Sequence, residues 1–258
     1  MEFVNFSTVE FERFVLVFLR VTSILLVAPL FSATAVPTTV KIGLSVGVSI
    51  GLFSAVGPGL LITEVPIYQL AALGSSEVIL GVAMGLLARI FIAAVDMGAE
   101  IMGFQMGFGI VTVIDPSTRG SVSLLSQFQG VVTALMILAT NAHHFFFRAI
   151  AESFERIPPM GFALTPNLWA LFFETTRNAF VLALKFAAPT MVVLMLTTVA
   201  LGIVARTVPQ MNIFIVGLSL QIAVGFGVLI FATSMFGVLY GQTLTDMGSV
   251  LFRFVRAF

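Results

Sequence analysis

Few side chains in this 258-residue chain could perform acid–base, nucleophilic or metal chemistry. The two histidines, His143 and His144, are adjacent, so on a helix they point in different directions and make a poor chelate. No third ligand stands at a metal-site spacing. The chain has no cysteine, which excludes disulfides and thiolate chemistry. No Ser-His-Asp, nucleotide-binding or metal-binding motif is present. The sequence therefore predicts neither an enzyme nor a cofactor.

Several ionisable residues lie inside apolar runs, where a charge is costly and indicates either a function or a paired structure. Arg20 lies seven residues after Arg13 in the first run, and it could be structurally paired or take part in transport. Asp96 and Glu100 are four residues apart, so they share a helix face and repel each other. They could form a proton-coupled carboxylate pair or salt bridges at a subunit interface.

Residues 98–121 differ from the rest of the chain because they combine several glycines with a glutamine, two carboxylates and an Asp-Pro turn. Non-helical backbone at membrane depth is tolerated only inside protein or beside a water-filled cavity. The segment is therefore predicted to be a pore or gate element. Its methionines and phenylalanines, which are adaptable and bulky, could seal a wide pore or pack against a neighbouring helix.

The composition predicts a membrane protein. The chain is 59% hydrophobic and 9% charged, with a mean hydropathy of +1.12, whereas a soluble domain carries about a quarter charged residues. Twelve acidic and twelve basic residues leave no basic excess for nucleic acid. The N-terminus has no basic n-region, so we expect no cleaved signal peptide.

A membrane-spanning helix takes about 20 apolar residues. The long apolar runs cover roughly residues 14–36, 42–62, 67–95, 124–140, 168–200 and 213–240. They predict an all-α polytopic membrane protein of about six long, kinked helices. The last two runs contain Gly, Pro and polar positions that could kink or split them. Scattered Lys and Arg residues leave the membrane orientation open.

The longest polar break contains Pro158, Pro159 and Pro166, and it separates four N-terminal runs from two C-terminal ones. The two C-terminal runs predict a helical hairpin, with its turn at residues 206–212. Within that hairpin Lys185 lies four residues before Pro189, whose ring frees a backbone carbonyl that the lysine could satisfy.

An ordered series of short motifs resembles the FliR family of flagellar type III export-gate proteins over nearly the whole chain. The matching pieces are Arg20-Val-Thr-Ser with Ala28-Pro29, Pro37 and Lys41; Gly98-Ala-Glu100 with Gly103-Phe-Gln105-Met106-Gly107; Asp115-Pro116; Asn141-Ala-His143 with Ser153-Phe154 and Pro158; and Arg206 with Pro209-Gln210, Ile213-Phe214 and Gly217. Ala142 stands where family members often have glycine.

The resemblance implies a subunit of a helical hetero-oligomeric pore, within one membrane domain covering residues 1–258. Residues 1–157 are expected to be FliP-like, and residues 166–258 a FliQ-like hairpin. The expected partners are the FliP and FliQ subunits and the FlhB export-switch protein, with unfolded flagellar proteins as cargo. The expected location is the bacterial inner membrane, within the flagellar basal body.

The family's plug follows the Gln-Met-Gly motif, at about residues 107–121 here. The resemblance thus implies pore and plug residues Met102, Phe104, Gln105, Met106, Gly107, Phe108, Gly109, Asp115, Pro116 and Arg119. It implies subunit contacts at Arg20, Lys41, Glu100, Asn141, His143, Lys185, Arg206 and Gln210.

Three other functions compete with this prediction. The first is a small-molecule or ion transporter, with a midplane site at the broken helix of residues 98–121. The second is a membrane scaffold without a pore. The third is an export-gate subunit of an injectisome instead of a flagellum.

Overall fold

A computed structural model describes residues 8–29, 36–57, 65–109, 124–159, 161–163 and 165–258. These residues form helices and no strand, which confirms the predicted all-helical fold. The eight helices in this part of the chain are α1 (Thr8–Val27), α2 (Thr38–Val56), α3 (Ile67–Gln105), α4 (Leu124–Ala139), α5 (His143–Arg156), α6 (Pro166–Thr207), α7 (Ile213–Phe231) and α8 (Thr233–Arg256).

Four of the described helices, α2, α3, α6 and most of α7, are long and apolar enough to cross a membrane. The bent pair α4 and α5 would make a fifth span if the two helices cross together. The 42 residues of α6 extend over about 63 Å at about 1.5 Å per residue, twice the thickness of a bilayer's hydrocarbon core. The longest apolar runs are thus too long for a single straight span.

Proline and short polar residues set several helix boundaries. Pro37 precedes α2 and Pro166 is the first residue of α6, a position where the missing N–H costs nothing. The Asn212 side chain caps α7 by accepting a hydrogen bond from the Ile215 N–H at 3.4 Å. Pro189 lies inside α6, which continues through it. The last apolar run, by contrast, is divided at Ala232 into α7 and α8.

The fourth apolar run does not end the helical structure, because α5 follows α4 at an angle of 64°. Asn141 lies in this bend with φ +55°. This left-handed conformation is one that asparagine adopts more readily than most residues. The polar residues at the end of the run therefore form a corner between two helices.

The described parts of residues 1–90, 141–175 and 245–258 form one compact unit. Within it α1 lies very close to the first half of α3, because Gly74, Gly81 and Gly85 of α3 face α1 without side chains. Phe14 of α1 meets Phe53 of α2 edge to face, with ring centroids 5.7 Å apart. The unit thus packs its helices closely enough for a charged side chain of α1 to reach across them.

The described parts of residues 91–140 and 176–244 form a second compact unit. Its core is built on aromatic rings, and the ring centroid of Phe186 lies 5.9 Å from that of Phe236 and 5.1 Å from that of Tyr240. Gly98 of α3 packs directly on the backbone of Ala183 in α6, where an added Cβ would lie 2.9 Å from the carbonyl oxygen. This core holds the C-terminal half of α3 and positions the turn that follows it.

Candidate functional site

The C-terminal end of α3 is a glycine-dependent turn over residues 106–109, here called the 106–109 turn. The Phe108 N–H donates to the Gly103 carbonyl at 3.0 Å, and the Gly107 N–H donates to the Phe104 carbonyl at 3.1 Å. Gly107 has φ +90°, which a residue with a side chain rarely adopts. This is the Schellman arrangement that ends helices at a glycine. The break predicted over residues 98–121 therefore begins only at this turn, because residues 98–105 are helical and belong to α3.

The two methionines of this region point into the second unit. Met102 and Met106 are fully buried, and the Thr190 hydroxyl donates to the Met102 sulfur at 3.4 Å. Phe104, between them, is 76% exposed. Within this chain the two methionines therefore pack against neighbouring helices, and Phe104 is the large side chain that is exposed.

A cavity of about 670 Å³ lies beside the 106–109 turn, within the second unit. Its wall is mostly apolar, and its polar groups come from Gln105, Thr198 and Gln221. The Gln221 side-chain amide donates to the Thr198 hydroxyl at 3.3 Å. The Oε1 atom of Gln105 is buried and has no hydrogen-bond partner among the residues that the structure describes.

In the first unit Arg20 has its guanidinium at the centre of a buried polar cluster, here called the Arg20 cluster. Its Nε forms an ion pair with Glu77 of α3. Its other two nitrogens donate to the Ser153 hydroxyl at 3.2 Å and to the Ile157 carbonyl at 3.1 Å. Its guanidinium carbon lies 4.1 Å from the centre of the Phe154 ring. Arg20 is therefore structurally paired, and these contacts all lie within this chain.

The other residues predicted as subunit contacts are not brought together. Lys41 and His143 are partly buried, and the Nδ1 atom of His143 is buried without a hydrogen-bond partner in the described structure. The exposed members of the set are Glu100, Asn141, Lys185, Arg206 and Gln210. Asp115, Pro116 and Arg119, predicted as plug residues, lie outside the described residues. Within the described ranges no three His, Cys, Asp or Glu side chains are placed to hold a metal ion.

Sequence reasoning missed the residues that complete both sites. Glu77 pairs with Arg20 across 57 positions, and a contact at that separation leaves no local pattern. Gly225 and Leu218 of α7 contact the 106–109 turn, and neither stands out among the apolar residues of that helix. The spacing of Gly74, Gly81 and Gly85, which includes a Gly-x-x-x-Gly pair, was the signal for close α1–α3 packing.

The fold and these buried polar groups define a polytopic helical membrane protein. The family model described as Bacterial export proteins, family 1, matches residues 11–247. The chain is 39% identical to the flagellar biosynthetic protein FliR of Bacillus subtilis (strain 168), over 93% of this chain and 95% of the relative. It is 29% identical to FliR of Escherichia coli (strain K12), over 82% and 80%, and 26% identical to FliR of Aquifex aeolicus (strain VF5), over 93% of both. The chain belongs to the FliR family of bacterial export proteins.

Proposed function

We propose that this chain is a component of the flagellar protein export apparatus, where it helps to form and close the pore through which unfolded flagellar proteins are secreted. The observation that carries the proposal is the similarity to a flagellar biosynthetic protein FliR over 93% of the chain. The match of residues 11–247 to a family of bacterial export proteins also supports the proposal. This assignment favours protein export over small-molecule transport, and the names of the relatives favour a flagellum over an injectisome.

Loss of this chain from its host is expected to abolish flagella and the appearance of flagellar proteins in the culture medium. An in-frame deletion should be complemented by the same chain supplied from a plasmid. The measurement is the amount of secreted flagellar protein against its amount inside the cell. Secretion at the original rate in the deletion strain would overturn the export function.

The proposed partners are the FliP and FliQ subunits and the FlhB export-switch protein, in the inner membrane within the flagellar basal body. Two observations support an assembly. Only 11% of the most apolar stretch of α2 is buried within this chain, and the same holds for α7. Glu100 and Lys185 are exposed within helices that are apolar enough to span a membrane, where lipid would leave their charges unsolvated. Partner subunits or an aqueous lumen would cover both features.

Expression without these partners is expected to give an aggregated or degraded chain, with recovery when FliP and FliQ are co-expressed. The physical reason is that exposed charges on apolar helices need partners. The measurement is the yield of monodisperse protein in detergent, with and without co-expression. A well-folded, monodisperse chain purified alone would contradict the need for partners.

The proposed division places a FliP-like part at residues 1–157 and a FliQ-like hairpin at 166–258. Supporting contacts lie between α6 and α7, which run antiparallel. Gly217 lies opposite Leu201, with 3.4 Å between the position of an added Cβ and a Leu201 methyl, and Gln221 bonds Thr198. Residues 107–121, most of which lie outside the described residues, are proposed as the plug on the basis of the sequence resemblance.

A further inference from the structure

In the second unit α3 and α6 pack side by side and run parallel. Gly98 of α3 lies on Ala183 and Phe186 of α6, where an added Cβ would be 2.9 Å from the Ala183 carbonyl oxygen and 2.9 Å from the Phe186 Cβ. One turn further along, the Thr190 hydroxyl donates to the Met102 sulfur at 3.4 Å. The contacts advance along both helices in the same direction, so residue 98 is level with residue 183. These two helices are here called the α3–α6 pair.

Each helix of the α3–α6 pair carries one charge beside this contact. Glu100 stands two residues after the contact residue of α3, and Lys185 stands two residues after that of α6, so the two charges lie at the same level. Two residues turn a helix by about 200°, which directs each side chain away from the other helix. Both side chains are exposed. One outer face of the pair therefore carries an acid, and the opposite outer face carries a base.

Neither charge has a counter-ion within the described part of the chain, where the Glu100 and Lys185 side chains form no ion pair or hydrogen bond. Both helices are apolar enough to cross a membrane. Phe104 follows Glu100 by one turn and Val181 precedes Lys185 by one turn, and both of these apolar side chains are exposed. A charge in such surroundings is costly unless it is paired or meets water. Each outer face therefore requires its own polar partner.

The signs of the charges select the kind of partner. Asp96 lies one turn before Glu100, so the α3 face carries two carboxylates that repel each other, and a cation beside them would relieve the repulsion. Lys185 is the one basic residue of α6 between Arg177 and Arg206. Two like faces would bring equal charges together, which is unfavourable. The favoured contact joins unlike faces, as in a heterologous interface.

We propose that the chain is inserted between two neighbouring subunits, with Glu100 bound to a lysine or arginine on an apolar helix of one neighbour and Lys185 bound to an aspartate or glutamate on an apolar helix of the other. This inference rests on the proposed function, which supplies the neighbouring subunits of the export apparatus. It goes further because it gives each outer face of the α3–α6 pair its own partner and fixes the sign of that partner's charge.

The first test places a photo-cross-linking amino acid at position 100 or at position 185, one at a time, in the full chain within its assembled membrane complex. Mass spectrometry of the cross-linked peptides identifies the neighbouring segments. Position 100 is expected to label a segment that contains lysine or arginine, and position 185 a different segment that contains aspartate or glutamate. Labelling of one shared segment, of segments without the expected charge, or of no protein because lipid or a water-filled lumen covers the face would overturn the proposal.

The second test reverses the charges. Glu100→Lys and Lys185→Glu place like charges against the neighbours, so each is expected to lower the recovery of the complex by at least about tenfold. Lys185→Arg keeps the charge and is expected to keep the complex. The matched control is Glu155→Lys, which reverses an exposed acidic residue of α5 outside the α3–α6 pair. Unchanged recovery after either reversal, or an equal loss from the control, would contradict the pairing.

Restoration of the complex separates lost pairing from misfolding. Reversing the neighbour's basic residue that position 100 labels is expected to restore assembly with Glu100→Lys and not with Lys185→Glu. Restoration of both variants or of neither would overturn the assigned contact. Both tests measure assembly, whereas secretion by the deletion strain tests the export function, so the failure of one can be told from the failure of the other.

Discussion

Replacing Glu77 with alanine is expected to destabilise the chain by about 3–5 kcal/mol, because the change leaves the Arg20 charge buried without its counter-ion. Arg20 is fully buried and Glu77 is 1% exposed, so neither water nor salt can screen the charge that remains. The Ser153 hydroxyl and the Ile157 carbonyl would still accept from the guanidinium, but neither carries a negative charge. The measurement is the thermal midpoint of the purified complex, together with the amount of chain in membranes.

The matched control for this prediction is Glu174→Ala. That change breaks the ion pair between Glu174 and Arg253, whose side chains are 43% and 50% exposed. Exposed pairs contribute about 0–1 kcal/mol, so the control is expected to change stability little. Equal losses of stability from the two substitutions would contradict the assignment of the Arg20 cluster to a structural role.

A double substitution separates structure from transport. Arg20→Met with Glu77→Leu removes both charges together, and apolar replacement of a buried pair is often neutral or stabilising. We expect the double variant to recover most of the stability lost by Glu77→Ala and to secrete. Normal recovery of the complex with lost secretion would instead assign Arg20 a direct role in transport.

Local sequence patterns predicted the helices well because hydrophobicity and helix ends are local properties. Pro37, Pro166 and Asn212 lie at helix starts, and Gly107 ends α3 by the conformation that only glycine adopts freely. The bend at Asn141 was harder to predict. An asparagine after an apolar run can end a helix or lie between two helices, and both are consistent with the local sequence.

The candidate sites were predicted only in part because their partners are remote in sequence. Residues 98–109 were recognised from their glycines, yet the residue that receives Met106 is Gly225, more than a hundred positions later. Methionine spacing is equally consistent with a pore lining and with a buried contact. Within this chain, Met106 is buried and Phe104 is exposed.

Gly81 is expected to be the glycine least tolerant of substitution in the first unit, because it sets the distance between α1 and α3. An added Cβ would lie 1.9 Å from the Ser23 hydroxyl oxygen and 2.9 Å from the Arg20 carbonyl oxygen. Gly81 stands one helical turn after Glu77, so separating the helices here also pulls the Arg20 cluster apart. Overpacking typically costs about 1–3 kcal/mol, and we expect Gly81→Ala to cost at least this much.

The control is Gly74, which lies seven residues earlier on the same helix, α3. At Gly74 an added Cβ meets only a Leu19 methyl, at 2.8 Å, and the tip of a leucine can rotate away. Gly74→Ala is therefore expected to be tolerated, and Gly81→Ala to lower the thermal midpoint of the complex. Ser23→Ala in the Gly81→Ala background removes the nearest atom and should restore part of the loss. Equal midpoints for the two alanine variants, or no gain from Ser23→Ala, would show that the α1–α3 distance does not depend on Gly81.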